Sequence, residues 1–373
     1  MHKTQTTVIG GGLLGMATAY GLARLGQKVC VLDEGDTAFR ASRGNFGLLW
    51  VQGKGYGMAP YARWTRQAVA LWPELASLLL AETGIDVQLR QSGGFQLCLS
   101  EAELAEEVRR LQWLKDELGD YPFEVLRNAQ LSQRLPGVGP AVVGACYSPM
   151  DGDVNPLKLL RALHQACQLQ GVHLLSGDKV MGIEAGDNGF VVTAGEQQVR
   201  SEQLVLAAGL GNRELGAHLG HAIPLQPSRG QILVTERVEP FLSHPTSTVR
   251  QTDEGTVQLG DSAESVGFDD GTSTAVMADI ADRAVRSFPR LGNVRLVRAW
   301  GALRVLTPDG FPIYQSLSKA PGAYLLSCHS GVTLAAIHAL RLAPWIAGKI
   351  ALPEVAAFAL DRFNFAPEVR HAG

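Results

Sequence analysis

Apolar positions in the first 35 residues change period twice. Residues 6–9 form a short β-branched run, residues 13–25 repeat apolar side chains at helical spacing up to Gly26, and residues 29–32 form a second apolar run. This predicts strand, helix and buried strand, a βαβ unit. Residues 36–61 are rich in glycine and small side chains and read as a loop or short helix that approaches something closely. Residues 64–80 then read as a helix and 94–99 alternate as a strand. Residues 100–118 form a solvated helix opened by a capping box, Ser100 with Glu103. Asn155 as N-cap, Pro156 at the first helical position and Gly171 at the stop delimit another helix. Strands are expected at 172–175, 180–184, 189–194 and 203–207. From about 222 to 300 the pattern becomes β runs separated by turns, including 231–236, 246–251 and 257–260, and predicts a separate antiparallel sheet.

The class is therefore α/β, or α+β overall: a Rossmann-like nucleotide domain with an interleaved antiparallel-sheet substrate domain. A chain of 373 residues, 46% apolar and 18% charged, is long enough for two such units around a large interior. A net charge of -3, without a basic stripe, argues against nucleic acid as a partner. The five cysteines, Cys30, Cys98, Cys146, Cys167 and Cys328, are widely spaced with no CxxC pair, so no metal site is expected and they read as reduced core residues of a cytoplasmic protein. The first strand begins too early to leave room for a signal peptide. Residues 331–347 are apolar but interrupted by His338, Arg341 and Pro344, so no membrane span is expected.

Two places carry candidate chemistry. "GGGLLG" puts Gly10, Gly12 and Gly15 in the GxGxxG pattern between a strand and a helix, and Asp33 closes the next strand where a carboxylate can accept from a ribose. Those glycines serve a tight turn, a close approach to pyrophosphate and helix–sheet contact, and the helix start offers N–H groups to the phosphates. The second place is Arg304, inside the apolar run 302–306. A guanidinium stays charged, so burial requires an anion, either a ligand or a structural acid such as Asp309.

In the order "VIGGGLLGMATAYGLARLG", "ASRGNFG", "DGDVNP", "LVLAAG", "PSRGQIL", "WGALRVLTPDGFPI" and "HSGVTL", nearly the whole chain resembles the D-amino acid oxidase-like flavoproteins, the family of glycine oxidase and sarcosine oxidase. The stretch "ASRGNFGLLWVQGKG" looks most like the β (flavin) subunits of heteromeric opine and D-hydroxyproline dehydrogenases. The resemblance implies FAD, bound noncovalently, because the position just after the carboxylate arginine that carries the flavin-linking cysteine of monomeric sarcosine oxidase is not cysteine here. It implies pyrophosphate on Gly10, Gly12 and Gly15, and ribose on Asp33, where the family usually has Glu, with Glu34 sharing that role. Ser42, Asn45, Phe46 and Gly47 would follow the phosphate and ring, Val180 would border the adenine, and Ala208 and Gly209 would form the turn beneath the cofactor. Ser330, Gly331, Val332 and Thr333 would begin a last helix aimed at the flavin.

By the same resemblance Arg304 matches the arginine that holds the substrate carboxylate, and Phe46, Arg250, Gln251 and His329 are candidate substrate contacts. The implied reaction is oxidation of the C–N bond of a small secondary, N-substituted or D-amino acid, by hydride transfer from the α carbon to the flavin. Implied partners are other subunits carrying electron-transfer centres, with a cytoplasmic location that extends to peripheral contact with the inner face of the membrane. Three rivals remain: a stand-alone oxidase using oxygen, an NAD enzyme, and a flavin-bearing structural subunit. Residues 1–85, 142–221 and 301–373 are assigned to the FAD domain, and 86–141 and 222–300 to the substrate domain.

Overall fold

The computed structural model describes residues 2–35, 41–260 and 262–363. Its central sheet has His2–Ile9 in the middle, flanked in parallel by Val29–Asp33 and Gln197–Leu206, with His173–Ser176 beyond the first and Ala323–Ser327 beyond the second. Ile313–Ser316 closes that edge in antiparallel fashion. A meander, Val180–Gly186 and Gly189–Ala194, is paired onto Gln197–Leu206. Ile9 is in register with both Leu32 and Leu206, so three parallel strands end side by side. Ligands of open parallel sheets bind outside such carboxyl ends.

Successive strand residues face opposite ways and so supply two cores. Val8, Val31 and Val205 pack with Met16, Tyr20, Trp64, Trp72, Leu163 and Ile337 under the helices Leu13–Arg24, Ala59–Thr83 and Pro156–Leu169. Ile9, Leu32 and Leu206 pack with Val180, Phe190, Val192 and Leu215 on the other face. The last helical run, residues 335–346, has a π-helical centre at His338–Leu342, packed against the first helix where a Cβ on Gly21 would lie 2.6 Å from that of Ala343.

His338 is buried there, and its Nε2 meets the Tyr314 hydroxyl at 2.7 Å. Burial pushes its imidazole down to about 3. Below its ordinary value of about 6.5 the unfolded chain takes up a proton that the native state refuses, so stability at this residue is lost as pH falls. His338→Gln should therefore gain on the parent protein by up to about 1.4 kcal/mol per pH unit between roughly pH 6 and pH 4. Urea unfolding midpoints that run parallel for the two proteins over that range would contradict this.

A second, antiparallel sheet places Gln226–Arg237 between Thr256–Leu259 and Leu296–Leu306, with Val249–Gln251 outside. A third pairs Gly144–Ser148 with Gly94–Cys98 and Glu124–Arg127. Phe95, Leu97 and Tyr147 of the third share a core with Leu233, Val249 and Val257 of the second. Gly144–Ser148 thus pairs with strands on the far side of the boundary drawn at residue 142, and Leu296–Leu306 runs through the one at 301.

Ser100 caps its helix as expected, its Oγ accepting from Glu103 N at 3.2 Å, but the reciprocal bond of a capping box is shifted by one residue: the Glu103 carboxylate accepts from Leu99 N at 2.9 Å. Asn155 caps its helix through Leu157 N and Lys158 N. The stretch read as β runs holds a helix as well, Thr274–Ser287, whose Ile280 and Ala284 turn inward while most of its other side chains reach solvent. Asn128–Arg134 and Asn212–His218 are further short helices.

Candidate active site

Backbone closeness explains the glycines at the sheet's carboxyl edge. Gly10 has φ +115°, and a Cβ there would stand 2.6 Å from the Ala207 carbonyl carbon. One on Gly15 would overlap the Gly10 carbonyl oxygen, and one on Gly12 would lie 2.8 Å from Ser42 Oγ. These clashes are with the protein's own neighbouring atoms, so the glycines let strand, turn and helix pack closely where the first helix begins. Gly12, as N-cap, has no side chain to offer, and Ser42 supplies the missing acceptor to Leu13 N at 2.9 Å.

Asp33 accepts from Gly11 N at 2.6 Å and Gly35 N at 2.9 Å, which fixes its carboxylate at the strand end, and Glu34 beside it is exposed. Val180 is buried in the core beneath Ile9 and Leu32. Ala208 N donates to Asn212 Oδ1, and Gly209 takes φ +58° against Val305. Asn212, fully buried, also donates to Leu326 O and Ser327 Oγ and so ties this turn to the neighbouring strand. Neither Asn212 nor His164, whose Nε2 lies 2.9 Å from Gly11 O, carries a signal in the sequence.

The loop after Ser42 is held from below. Asn45 Oδ1 accepts from Gly47 N at 2.7 Å; Gly47, at φ +94°, has no room for a Cβ beside Val154 O and the Arg250 guanidinium. Phe46 packs against Gly260 at the end of the antiparallel sheet. Arg250 and Gln251, expected as substrate contacts, have internal partners instead. The buried Arg250 donates to Asp153 Oδ2 and Val154 O at 3.0 Å each and to Gln258 at 2.7 Å. Asp153 is shared with Arg90, so a charge with two cationic partners is sealed behind the loop. Gln251 accepts from Phe241 N and Leu242 N and donates to Val238 O, Glu239 O and Gly255 O, which uses the whole amide.

The late motif reaches this place from the other end of the chain. Residues 331–334 are turns and the helical run starts only at Ala335, so the expected helix start falls two to five residues early. The geometry still brings the motif in: Gly331 faces Leu13 at the first helix start, and Thr333 Oγ1 accepts from Trp50 N at 3.2 Å and donates to Leu48 O at 3.3 Å. Val332 is buried, and Trp72 Nε1 donates to Thr333 O.

Arg304 pairs with Ser228 across the antiparallel sheet and is half-buried. Its guanidinium lies over Gly230, where a Cβ would approach Cζ to 2.5 Å, and Nη1 donates to Ser262 O. Asp309, the structural acid considered for it, is paired with Arg362 at 2.8 Å. His329 lies within the field of Arg304: burial, then Lys54, then Arg304 push its imidazole down to about 3, so it is neutral. Lys54, which the sequence pattern does not single out, donates to Ser330 Oγ at 2.5 Å, and Tyr61 donates to the same oxygen at 3.2 Å. Among the described residues no group of three His, Cys, Asp or Glu side chains could hold a metal ion, and no helix is long and apolar enough to cross a membrane.

A glycine turn at the carboxyl edge of a parallel sheet, with a helix starting from it and a carboxylate fixed at the end of the next strand, is a specific combination, and the family model described as FAD dependent oxidoreductase matches residues 5–345. The chain belongs to that family. An opine oxidase subunit from Agrobacterium tumefaciens (strain Ach5) is 43% identical over 98% of this chain and 99% of its own length. The crystal structure of glycine oxidase from Geobacillus kaustophilus superposes with a TM-score of 0.90 at 25% identity, covering 100% of both chains. L-proline dehydrogenase from P. horikoshii shares the fold, with a TM-score of 0.84 at 20% identity over 97% of this chain and 98% of its own.

Proposed function

We propose that this FAD-dependent oxidoreductase oxidises the C–N bond of a small secondary, N-substituted or D-amino acid to the imino acid. The tightly packed glycine turn at a helix start fits a dinucleotide: Gly10, Gly12 and Gly15 would hold the pyrophosphate and Asp33, with Glu34, the ribose. Ser42, Asn45, Phe46 and Gly47 would follow the phosphate and ring, Val180 would border the adenine, and Ala208 and Gly209 would lie beneath. When bound, FAD supplies the acceptor for a hydride from the substrate's α carbon. Ser330 to Thr333 would present their turn to the ring.

Arg304 clasps the substrate carboxylate through two parallel hydrogen bonds and so sets which hydrogen faces the ring. His329, neutral beside it, adds no positive charge against an incoming amine. An imidazole depressed that far is also a weak base, so the amine proton leaves to solvent before reaction. Attachment of the cofactor would be noncovalent: residues 305–309 contain no cysteine, and the Cys328 thiol, pushed up to about 12 by burial, stays protonated. The names of the relatives, subunits of opine oxidase, support a subunit of a heteromer; in this reading the flavin subunit lies in the cytoplasm or at the inner face of the membrane and a second chain takes the electrons. The full-length likeness to glycine oxidase favours the second reading, an oxidase that passes them to oxygen.

The observation that carries the proposal is that Arg304 acts on the half-buried His329, next to the Ser330 turn whose Gly331 faces Leu13 at the start of the glycine helix. Anaerobic addition of such amino acids to the yellow holoprotein should bleach the oxidised flavin and yield the imino acid or its hydrolysis product. A flavin that stays oxidised across the whole panel would refute the proposal.

A further inference from the structure

Arg250 and Arg304 project from the same face of one sheet. Partners in register across antiparallel strands share a face, and so do residues two apart on one strand. Arg250 is in register with Gln258, Gln258 with Val234 and Val234 with Arg298, which lies three such steps before Arg304 on Leu296–Leu306. The loop after Ser42 lies against this face. A Cβ on Gly260 would stand 3.4 Å from the Phe46 ring, and one on Gly47 would stand 3.1 Å from Arg250 Cζ.

Arg250 bonds the loop to the sheet. Nε and Nη2 both donate to Gln258 Oε1, at 3.2 and 2.7 Å, which holds the guanidinium to its own sheet. From its other edge Nη1 donates to Asp153 Oδ2 and Val154 O. Val154 N donates in turn to Gly47 O at 2.9 Å, and Asp153 is in register with Leu48 where the loop continues into a short antiparallel ladder. A planar group bonded along both edges and 3% exposed has one orientation available. Charge neutralisation alone does not account for it. Arg90 already meets the Asp153 carboxylate through two bonds, at 3.1 and 2.7 Å, and donates to Gln251 O at 2.7 Å. What Arg250 adds is the reach to the backbone beneath Gly47.

We infer that Arg250 is a positioning residue: it ties residues 45–47, and with them the flavin ring that they would follow, to the sheet that carries Arg304. It thereby sets the distance between that ring and the α carbon of a substrate held by Arg304. This rests on the reading of Arg304 as the carboxylate clasp and of the loop as the neighbour of the ring. A displacement of about 1 Å between reacting atoms corresponds to roughly a hundred-fold in rate.

The test uses the holoprotein and its Arg250→Met variant, in which Asp153 keeps Arg90 and no buried carboxylate is left alone. Three quantities are measured: the Kd of a carboxylate that cannot be oxidised, the rate of anaerobic flavin reduction at saturating amino acid, and the visible circular dichroism of the bound flavin without substrate. Arg250→Met should bind the carboxylate like the parent protein, reduce its flavin more slowly by about ten-fold or more, and show an altered flavin dichroism. Should it fail to accumulate, the same readings on Arg250→Lys decide, since a single ammonium cannot span Gln258, Asp153 and Val154 O together. An unchanged reduction rate in the flavin-loaded fraction, or a loss confined to carboxylate affinity, would overturn the inference. If no amino acid reduces the flavin of the parent protein, the oxidation reading fails and the dichroism decides for Arg250 by itself: a changed spectrum keeps its hold on the loop, and an unchanged one removes it.

Discussion

Arg304→Lys should lower kcat/KM for the preferred amino acid by about ten- to a hundred-fold while the protein still purifies yellow with its full complement of FAD. The guanidinium offers two parallel N–H donors in one plane; an ammonium offers one comparable bond and no fixed plane. Losing one charged hydrogen bond accounts for about 1.5–3 kcal/mol, which is the range stated. The α carbon also loses its fixed approach, so kcat should fall along with the rise in KM. Shortening the side chain leaves the glycine turn alone, because Arg304 touches Ser262 O and Gly230 and none of Gly10, Gly12 or Gly15. Unchanged kinetics in this variant would remove Arg304 from the substrate site.

Gly15→Ala should have the largest effect on the cofactor. The new Cβ would overlap the Gly10 carbonyl oxygen and come within 3.1 Å of its carbon, and neither backbone can yield without moving the first strand or the first helix. The turn that would carry the pyrophosphate is displaced, and the protein should purify colourless, with FAD affinity reduced by at least a hundred-fold. Gly12→Ala is the graded control, since its Cβ meets only the Ser42 hydroxyl, which can rotate away. It should keep FAD with a smaller loss. If both variants bind FAD like the parent protein, measured by fluorescence quenching on reconstitution, the glycine turn is not the cofactor site.

Much of this architecture is legible in the sequence because its signals are local. The GxGxxG turn, the N-cap at Asn155 and the N-cap at Ser100 each depend on residues within one turn of each other, and each forms as read. Helix Thr274–Ser287 carries its own local signal, with Val276, Met277, Ile280, Ala281, Ala284 and Val285 at helical spacing and packed on the antiparallel-sheet core, but β runs and turns flank it on both sides and draw it into a β reading. Partners remote in sequence are the harder part. Arg250 and Gln251 look like site residues because polar side chains on a sheet strand are conspicuous. Arg250 finds its acid 97 residues away at Asp153, where no periodicity points, while Gln251 is used up by loop backbone close in sequence, at Phe241, Leu242 and Gly255, which no side-chain pattern reveals.

Lys54 shows the reverse. It sits in "QGKGYG", which reads as an ordinary flexible loop until the positive φ angles and the anchors on Asp151 and Trp113 reveal a rigid frame. The sequence does hold one cue, three glycines at alternate positions around a single cation. The late motif falls between the two cases: its residues are recognisable, but its helix begins later than the pattern suggests because Gly331 favours a turn over the first helix start.

The most direct test of the Arg304 assignment is a crystal structure of the holoprotein soaked with a carboxylate that cannot be oxidised, such as a substrate analogue lacking the α hydrogen. Both carboxylate oxygens should lie within hydrogen-bonding distance of the Arg304 guanidinium, with the α position over the flavin ring. A carboxylate bound elsewhere, with Arg304 turned away from the ring, would contradict it.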